Sequence, residues 1–303
     1  MKDHLLWMLS RVDEPWYSRL NALANALTFI RHPERAERLG PLNADRTFYV
    51  INDFPRHIGL AGWYDRVLGY MIRAERKGWI PVIDSREWGE YFEYPSAYTM
   101  EEVRRSSRVV FAHPHGTVYK RVSGRNIALR HRLAQSIRPK PLPCGTFRAS
   151  DARPSVGVYF RGTDYRRTKE WNAIGHATVP TFGEFFTALD GKLSEWGLKD
   201  PRIFAVTEEQ AILDEFKRRY PGVEYIEKPR FTSFRFGVSL PEQLPDDRIT
   251  KKENNLLYLA DLQSLAECDY LVGTMNGGVQ LALNWNGNAY KGVAILDFGT
   301  NRP

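Results

Sequence analysis

The chain has 303 residues, long enough for two domains of about 150 residues, and with 43% hydrophobic residues, 26% charged, 23 Gly and 18 Pro it is not a mainly disordered chain. Lys and Arg outnumber Asp and Glu by 43 to 36, a formal net charge of +7 that favours anionic partners. The cations come as scattered pairs such as Arg104-Arg105 and Lys251-Lys252, which argues against a nucleic-acid-binding stripe.

Residues 1–45 read as helical, with Trp16, Leu20, Leu23, Leu27 and Phe29-Ile30 in an approximate 3.6-residue stripe before a charged stretch. Residues 48–51 form a β-type run, followed by a loop with Gly59 and Gly62 and by a helix over 63–77. Strands at 80–83 and 109–111 complete the βαβ pattern of a parallel sheet. The Pro-rich stretch 139–154 reads as a linker, so the expected domains are 1–145 and 150–303. In the second half strands are expected at 156–160, 203–206, 223–226, 270–272 and 293–296, alternating with helices at 182–196, 208–219, 254–267 and 277–284. That is the order of a doubly wound α/β domain, whose ligands bind beyond the C-terminal ends of the strands.

Two cysteines, Cys144 and Cys268, are too few for a disulfide framework or a structural zinc site. The N-terminal apolar run is too short for a signal peptide, and no stretch approaches the roughly 18 apolar residues of a membrane span. The expectation is a cytoplasmic protein, open at most to peripheral membrane association.

Three loops follow expected strand ends. In Arg161-Gly162-Thr163-Asp164 a cation stands just beyond a buried strand, where a guanidinium can clamp a diphosphate through paired charged hydrogen bonds. Asp164 can fix that guanidinium or the loop; an Arg–Asp pair that merely ties down a turn would look the same. Thr207-Glu208-Glu209 reads as a helix N-cap with acids in the first turn, and capping alone explains it. Gly273-Thr274-Met275-Asn276-Gly277-Gly278 runs from strand to helix, where small residues admit a ligand and the N–H groups of the helix start attract anions. A turn demanding positive φ is the alternative. His113-Pro114-His115 lacks a third metal ligand at useful spacing and reads as a loop.

In order and in sequence these loops resemble the α-1,6-fucosyltransferases and, more loosely, the rhizobial chitin-oligosaccharide fucosyltransferases and the protein O-fucosyltransferases. Val156-Gly157-Val158-Tyr159-Phe160-Arg161-Gly162-Thr163-Asp164 is similar to the first motif of that family, a strand ending in Arg-Arg-x-Asp. Ala205-Val206-Thr207-Glu208-Glu209 with the helix after it is similar to the second, and the stretch from Asp261 to Thr274 to the third. The likeness covers about 155–285; in the first half the Gly59-Leu60-Ala61-Gly62 loop is similar to a glycine loop facing the donor. The chain departs from the pattern at Gly162 for the second Arg, Tyr159 for a His, and Asn276-Gly277 for Ser-Ser.

The resemblance implies a GT-B fold: α/β, with an N-terminal Rossmann-like acceptor domain and a C-terminal donor domain facing a central cleft. It implies inverting transfer of fucose or a related sugar from a GDP-sugar to a glycan or lipid-linked oligosaccharide acceptor, with no cofactor, no essential metal and no nucleic acid. Arg161 and the N–H groups of Asn276, Gly277 and Gly278 would meet the departing diphosphate, with Gly59, Gly62, Asp164 and Thr274 as further donor contacts. Asp261 matches the guanine-reading position, with a helix-surface acid as the alternative. The catalytic base would be Glu170, with His176 in reserve. A non-catalytic glycan- or nucleotide-binding protein on the same fold is the alternative function, and a basic nucleic-acid-binding protein comes third.

Overall fold

The computed structural model describes residues 34–55, 58–94, 96–112, 127–145, 147, 153–165, 177–235, 238, 240–299 and 301, together with Trp16; of Ile127 and Asp164 it describes the backbone alone. From residue 34 on, the described residues divide between Lys140 and Pro141 into two compact units. Each is α/β, as the strand and helix alternation predicts.

In the N-terminal unit β2 (Phe48–Ile51) is the centre of a sheet of order β1-β5-β2-β3. β3 (Ile80–Ile83) and β5 (Val109–Phe111) pair with it in parallel, and β1 (Arg35–Glu37) runs antiparallel to β5. The expected helix therefore does not extend over 34–45. The charged Arg35-Ala36-Glu37 segment instead joins the sheet edge, where its backbone pairs with Val109–Phe111 and its charges keep water. α1 (Leu60–Lys77) crosses between β2 and β3, burying Trp63, Tyr64, Val67 and Met71, and stops at Gly78 in the left-handed conformation. A short α2 (Met100–Val103) starts in a Thr99/Glu102 capping box. α3 (Ile127–Ala134) and a small pairing of β4 (Phe92–Glu93) with β6 (Arg138–Pro139) finish the unit.

The C-terminal unit is built on an all-parallel sheet of order β10-β9-β7-β8. Its strands are β7 (Ser155–Tyr159), β8 (Arg202–Val206), β9 (Tyr270–Thr274) and β10 (Gly292–Leu296). The helices are α4 (Phe182–Glu195), α5 (Gln210–Arg219), α6 (Lys251–Ala266) and α7 (Gly277–Asn286). Capping boxes open α4 at Thr181/Glu184 and α6 at Thr250/Glu253.

Side chains alternate across a strand, so β7 sorts its residues between two helical layers. Val156, Val158 and Phe160 enter a core with Phe185, Phe186, Ile212 and Phe216 of α4 and α5, where Phe160 stacks on Phe185 at 4.1 Å. Gly157 and Tyr159 face the other layer: a Cβ on Gly157 would lie 2.9 Å from Leu265 of α6, and Tyr159 packs on Gly278 of α7. A half-buried clamp fastens β7 to β9: the Ser155 N–H and hydroxyl both donate to Asp269 Oδ2 at 2.9 Å, and the Asp269 N–H returns to Ser155 Oγ at 2.9 Å.

The strand expected at 223–226 is reduced to one bridge, Phe204 with Glu224. Beyond it the Arg230 guanidinium donates to the carbonyls of Ile226 at 2.9 Å, Lys228 at 3.1 Å and Thr207 at 3.3 Å, and the chain then returns alongside the end of β8, where Phe231 bridges Glu209.

Candidate functional site

Arg161 follows β7 on the face of Gly157 and Tyr159, and so emerges toward α6 and α7. Its Nη1 lies 2.9 Å from Glu208 Oε1, in an ion pair whose side chains are 13% and 9% exposed, and donates to Tyr159 Oη at 3.4 Å. The Tyr159 hydroxyl donates to the same Glu208 oxygen. Burial, reinforced by the Glu208 charge, pushes the Tyr159 pKa well above its ordinary value and keeps it a donor. The second Glu208 oxygen is buried without a hydrogen-bond partner.

Glu208 and Glu209 are thus not first-turn acids of a helix capped by Thr207. α5 begins at Gln210, with Glu209 as an N-cap that makes no side-chain cap bond and no acid in its first turn. Thr207 Oγ1 accepts the Glu209 N–H at 3.2 Å in a tight turn, and both carboxylates fold back beneath the β7 loop. Glu209 accepts the N–H of Thr163, a residue held at φ 46°. A Cβ on Gly162 would run into that carboxylate and lie 2.9 Å from Ile212 Cδ1. Glu209 thus occupies the space that a side chain at 162 would enter, and would have to shift to admit one.

At the third loop Thr274 ends β9, 3% exposed. Asn276 caps α7 from an extended backbone, its Oδ1 accepting the Val279 N–H at 3.1 Å and its Nδ2 donating to the Thr274 carbonyl at 2.9 Å. Its carboxamide is committed to the cap; what this helix start offers an anion is backbone. Neither Gly277 nor Gly278 has positive φ, so the turn alternative does not hold. Gly278 is small for another reason: a Cβ there would meet the Tyr159 ring and approach Tyr258 Oη at 2.9 Å and Leu262 at 3.1 Å.

Asp261 is 0% exposed, which removes the helix-surface alternative. It lies one turn beyond Tyr258 on α6, on the same face. Lys228 Nζ approaches its Oδ2 at 2.5 Å and sits 5.8 Å from the Tyr258 ring centroid, yet neither Asp261 oxygen has a hydrogen-bond partner. The contact is an ion pair without hydrogen-bond geometry. Burial pushes the Asp261 pKa up against the opposing pull of Lys228.

Arg161, Tyr159, Gly278, Tyr258 and Asp261 thus form one connected group along the C-terminal edge of this sheet, joined by Glu208 and Lys228, which sequence reasoning missed. Asp164 lies in the turn Thr163–Tyr165. Gly59 caps α1 of the N-terminal unit without a side-chain bond, and Gly62 follows in its first turn. Glu170 and His176, like His113 and His115, lie outside the described residues. Among the described residues no group of three or more His, Cys, Asp or Glu could hold a metal ion, and no helix is long and apolar enough to cross a membrane.

No protein-family model and no curated protein matches the sequence. Similar solved structures include NodZ alpha-1,6-fucosyltransferase co-crystallized with GDP, at 12% identity over 78% of this chain and 92% of that one, with a TM-score of 0.46. Fucosyltransferase NodZ from Bradyrhizobium gives the same identity and coverage at a TM-score of 0.40. POFUT1 in complex with GDP-fucose is 13% identical over 82% of this chain and 73% of that one, with a TM-score of 0.34. Likeness of this degree assigns no chemistry to the chain, which rests on its own side chains.

Proposed function

We propose that the chain is an inverting GDP-sugar-dependent glycosyltransferase of GT-B type, with fucose or a related sugar as the transferred group and a glycan or lipid-linked oligosaccharide as acceptor. The observation that carries this reading is the gathering of a buried cation, a helix start and an enclosed carboxylate on one sheet edge. A nucleoside diphosphate asks for those three things: positive charge and N–H groups for the phosphates, and an acceptor for the base edge. Arg161, held by Glu208, and the backbone at Asn276, Gly277 and Gly278 would stabilise the negative charge that grows on the diphosphate as its bond to the sugar breaks. Asp261 would accept the N1–H and N2–H of guanine. Glu170 would take the proton of the acceptor hydroxyl, with His176 as the reserve.

The resemblance of the three motifs supports the choice of nucleotide and sugar. The test is thermal stability with GDP, UDP, ADP, CMP and dTDP, since ligand at about 100 times its dissociation constant adds roughly 2.7 kcal/mol. GDP should give the largest shift, and equal shifts would remove the guanine assignment. Gly162 favours a second reading, a nucleotide- or glycan-binding protein without turnover, because one of the two expected cations is missing. Release of GDP from GDP-fucose in the presence of acceptor glycans separates the two.

A further inference from the structure

We propose that Lys228 reads the base together with Asp261: its ammonium donates to the O6 oxygen of guanine while the carboxylate accepts N1–H and N2–H. This rests on the guanine-nucleotide reading above and adds to it a residue that none of the three motifs contains.

The Asp261 carboxylate is fully enclosed and both its oxygens lack hydrogen-bond partners. The Lys228 charge offsets part of the cost of enclosing that carboxylate, and a ligand edge carrying two N–H donors would give both oxygens the hydrogen bonds they lack. Lys228 Nζ stands beside it, 2.5 Å from Oδ2, with its side chain 4% exposed. The loop that carries Lys228 is held by the Arg230 bonds to Ile226, Lys228 and Thr207, which fix the backbone from which the ammonium extends.

Ammonium next to carboxylate presents a donor followed by two acceptors. The guanine edge presents an acceptor at O6 followed by donors at N1 and N2, and meets all three. Uracil offers acceptor, donor, acceptor, which sets its O2 against a carboxylate oxygen. Adenine offers a donor at N6 and an acceptor at N1, opposing both groups. An ammonium has donors and no acceptor, so Lys228 cannot adapt to a 6-amino base. A carboxylate alone would leave the sixth position of the purine unread.

The competing role for Lys228 is a staple between its loop and α6, with no contact to the nucleotide. Calorimetric titration of the whole chain with GDP, 6-thio-GDP, UDP and ADP decides between them, because sulfur is a much weaker acceptor than O6. Wild-type protein should bind GDP about 10- to 100-fold more tightly than 6-thio-GDP, the scale of one hydrogen bond to a charged group. In Lys228→Met that ratio should fall toward one, with ADP gaining relative to GDP. Wild-type protein that binds GDP and 6-thio-GDP equally overturns the proposal even if the variant does not fold. A folded Lys228→Met with the wild-type ratio overturns it too, assigning the preference to the size of sulfur. If wild-type protein prefers GDP over UDP and ADP but ignores the thio substitution, the role of Lys228 falls and the guanine reading stands. If it binds GDP, UDP and ADP alike, the guanine reading itself falls.

Discussion

Removal of the Arg161 side chain separates its part in the fold from the part proposed for it in the chemistry. In Arg161→Ala the Glu208 carboxylate keeps the Tyr159 hydroxyl but loses the guanidinium 2.9 Å away, inside a pair whose side chains are 13% and 9% exposed. Breaking a buried pair from one side costs about 3–5 kcal/mol, because the remaining charge stays desolvated. At about 2–4 °C per kcal/mol for a unit of this size, the melting temperature should drop by roughly 6–20 °C. GDP release should fall by about a hundredfold or more, the scale for losing one well-placed transition-state donor. Arg161→Lys should rescue turnover poorly, since a point charge does not reproduce the guanidinium fork.

The double variant Arg161→Ala/Glu208→Gln divides the two effects. With no stranded carboxylate, most of the lost stability should return while turnover stays low; melting and GDP release are read on the same preparation. A folded Arg161→Ala with near-normal GDP release would take Arg161 out of the mechanism. Recovery of turnover together with stability in the double variant would reduce Arg161 to a structural partner of Glu208.

Gly162→Arg, which installs the second cation of the family pattern, should destabilise the chain by about 1–3 kcal/mol through overpacking against Glu209, and Glu209→Ser in the same chain should relieve part of that loss. Thermal melting without loss in the single variant would show that the loop yields. Acid sensitivity follows from Asp269. Burial raises its pKa, but the hydrogen bonds from Lys291 and Ser155 outweigh burial and leave it below the usual carboxylate value. A lowered folded pKa means stability that is present above about pH 3.9 and lost as pH falls through the folded value. Asp269→Asn should therefore melt lower at neutral pH and lose less on acidification; parallel pH–stability curves for the two proteins would refute this.

The parts of the fold written in local chemistry could be read from the sequence. The strands at 48–51, 80–83 and 109–111 are short runs dominated by apolar residues, and they lie where expected. The helix expected from 254 begins at Lys251 because the Thr250/Glu253 box sets its start, a signal present in the sequence. The segment 223–226 has the composition of a strand, but past the Glu224 bridge Arg230, in a Lys-Pro-Arg run, takes the Ile226 carbonyl that a continued ladder would need. Glu208 and Glu209 could not be told from capping acids, since their carboxylates turn toward a loop that reaches them only through the pairing of β7 with β8. Arg161 and Asp261 stood out through their motifs. Lys228 did not, because only the folded chain brings its loop against α6.

The Ser155–Asp269 clamp joins residues 114 apart in the chain, and so dates the assembly of the site. β7 can pair with β8 as soon as both exist, but β9 closes against β7 only after a long stretch of intervening chain has been confined, and that loop-closure entropy is spent before any contact returns it. During synthesis β9 and α7 emerge after β7 and β8. Until they arrive Tyr159 has no Gly278 to rest on, and the helix start that faces it does not exist. Arg161 and its Glu208 partner, by contrast, belong to the earlier β7–β8 half. Along the chain the cation and its Glu208 partner thus precede the helix start, and the site proposed for the nucleotide is complete only once β9 has closed against β7.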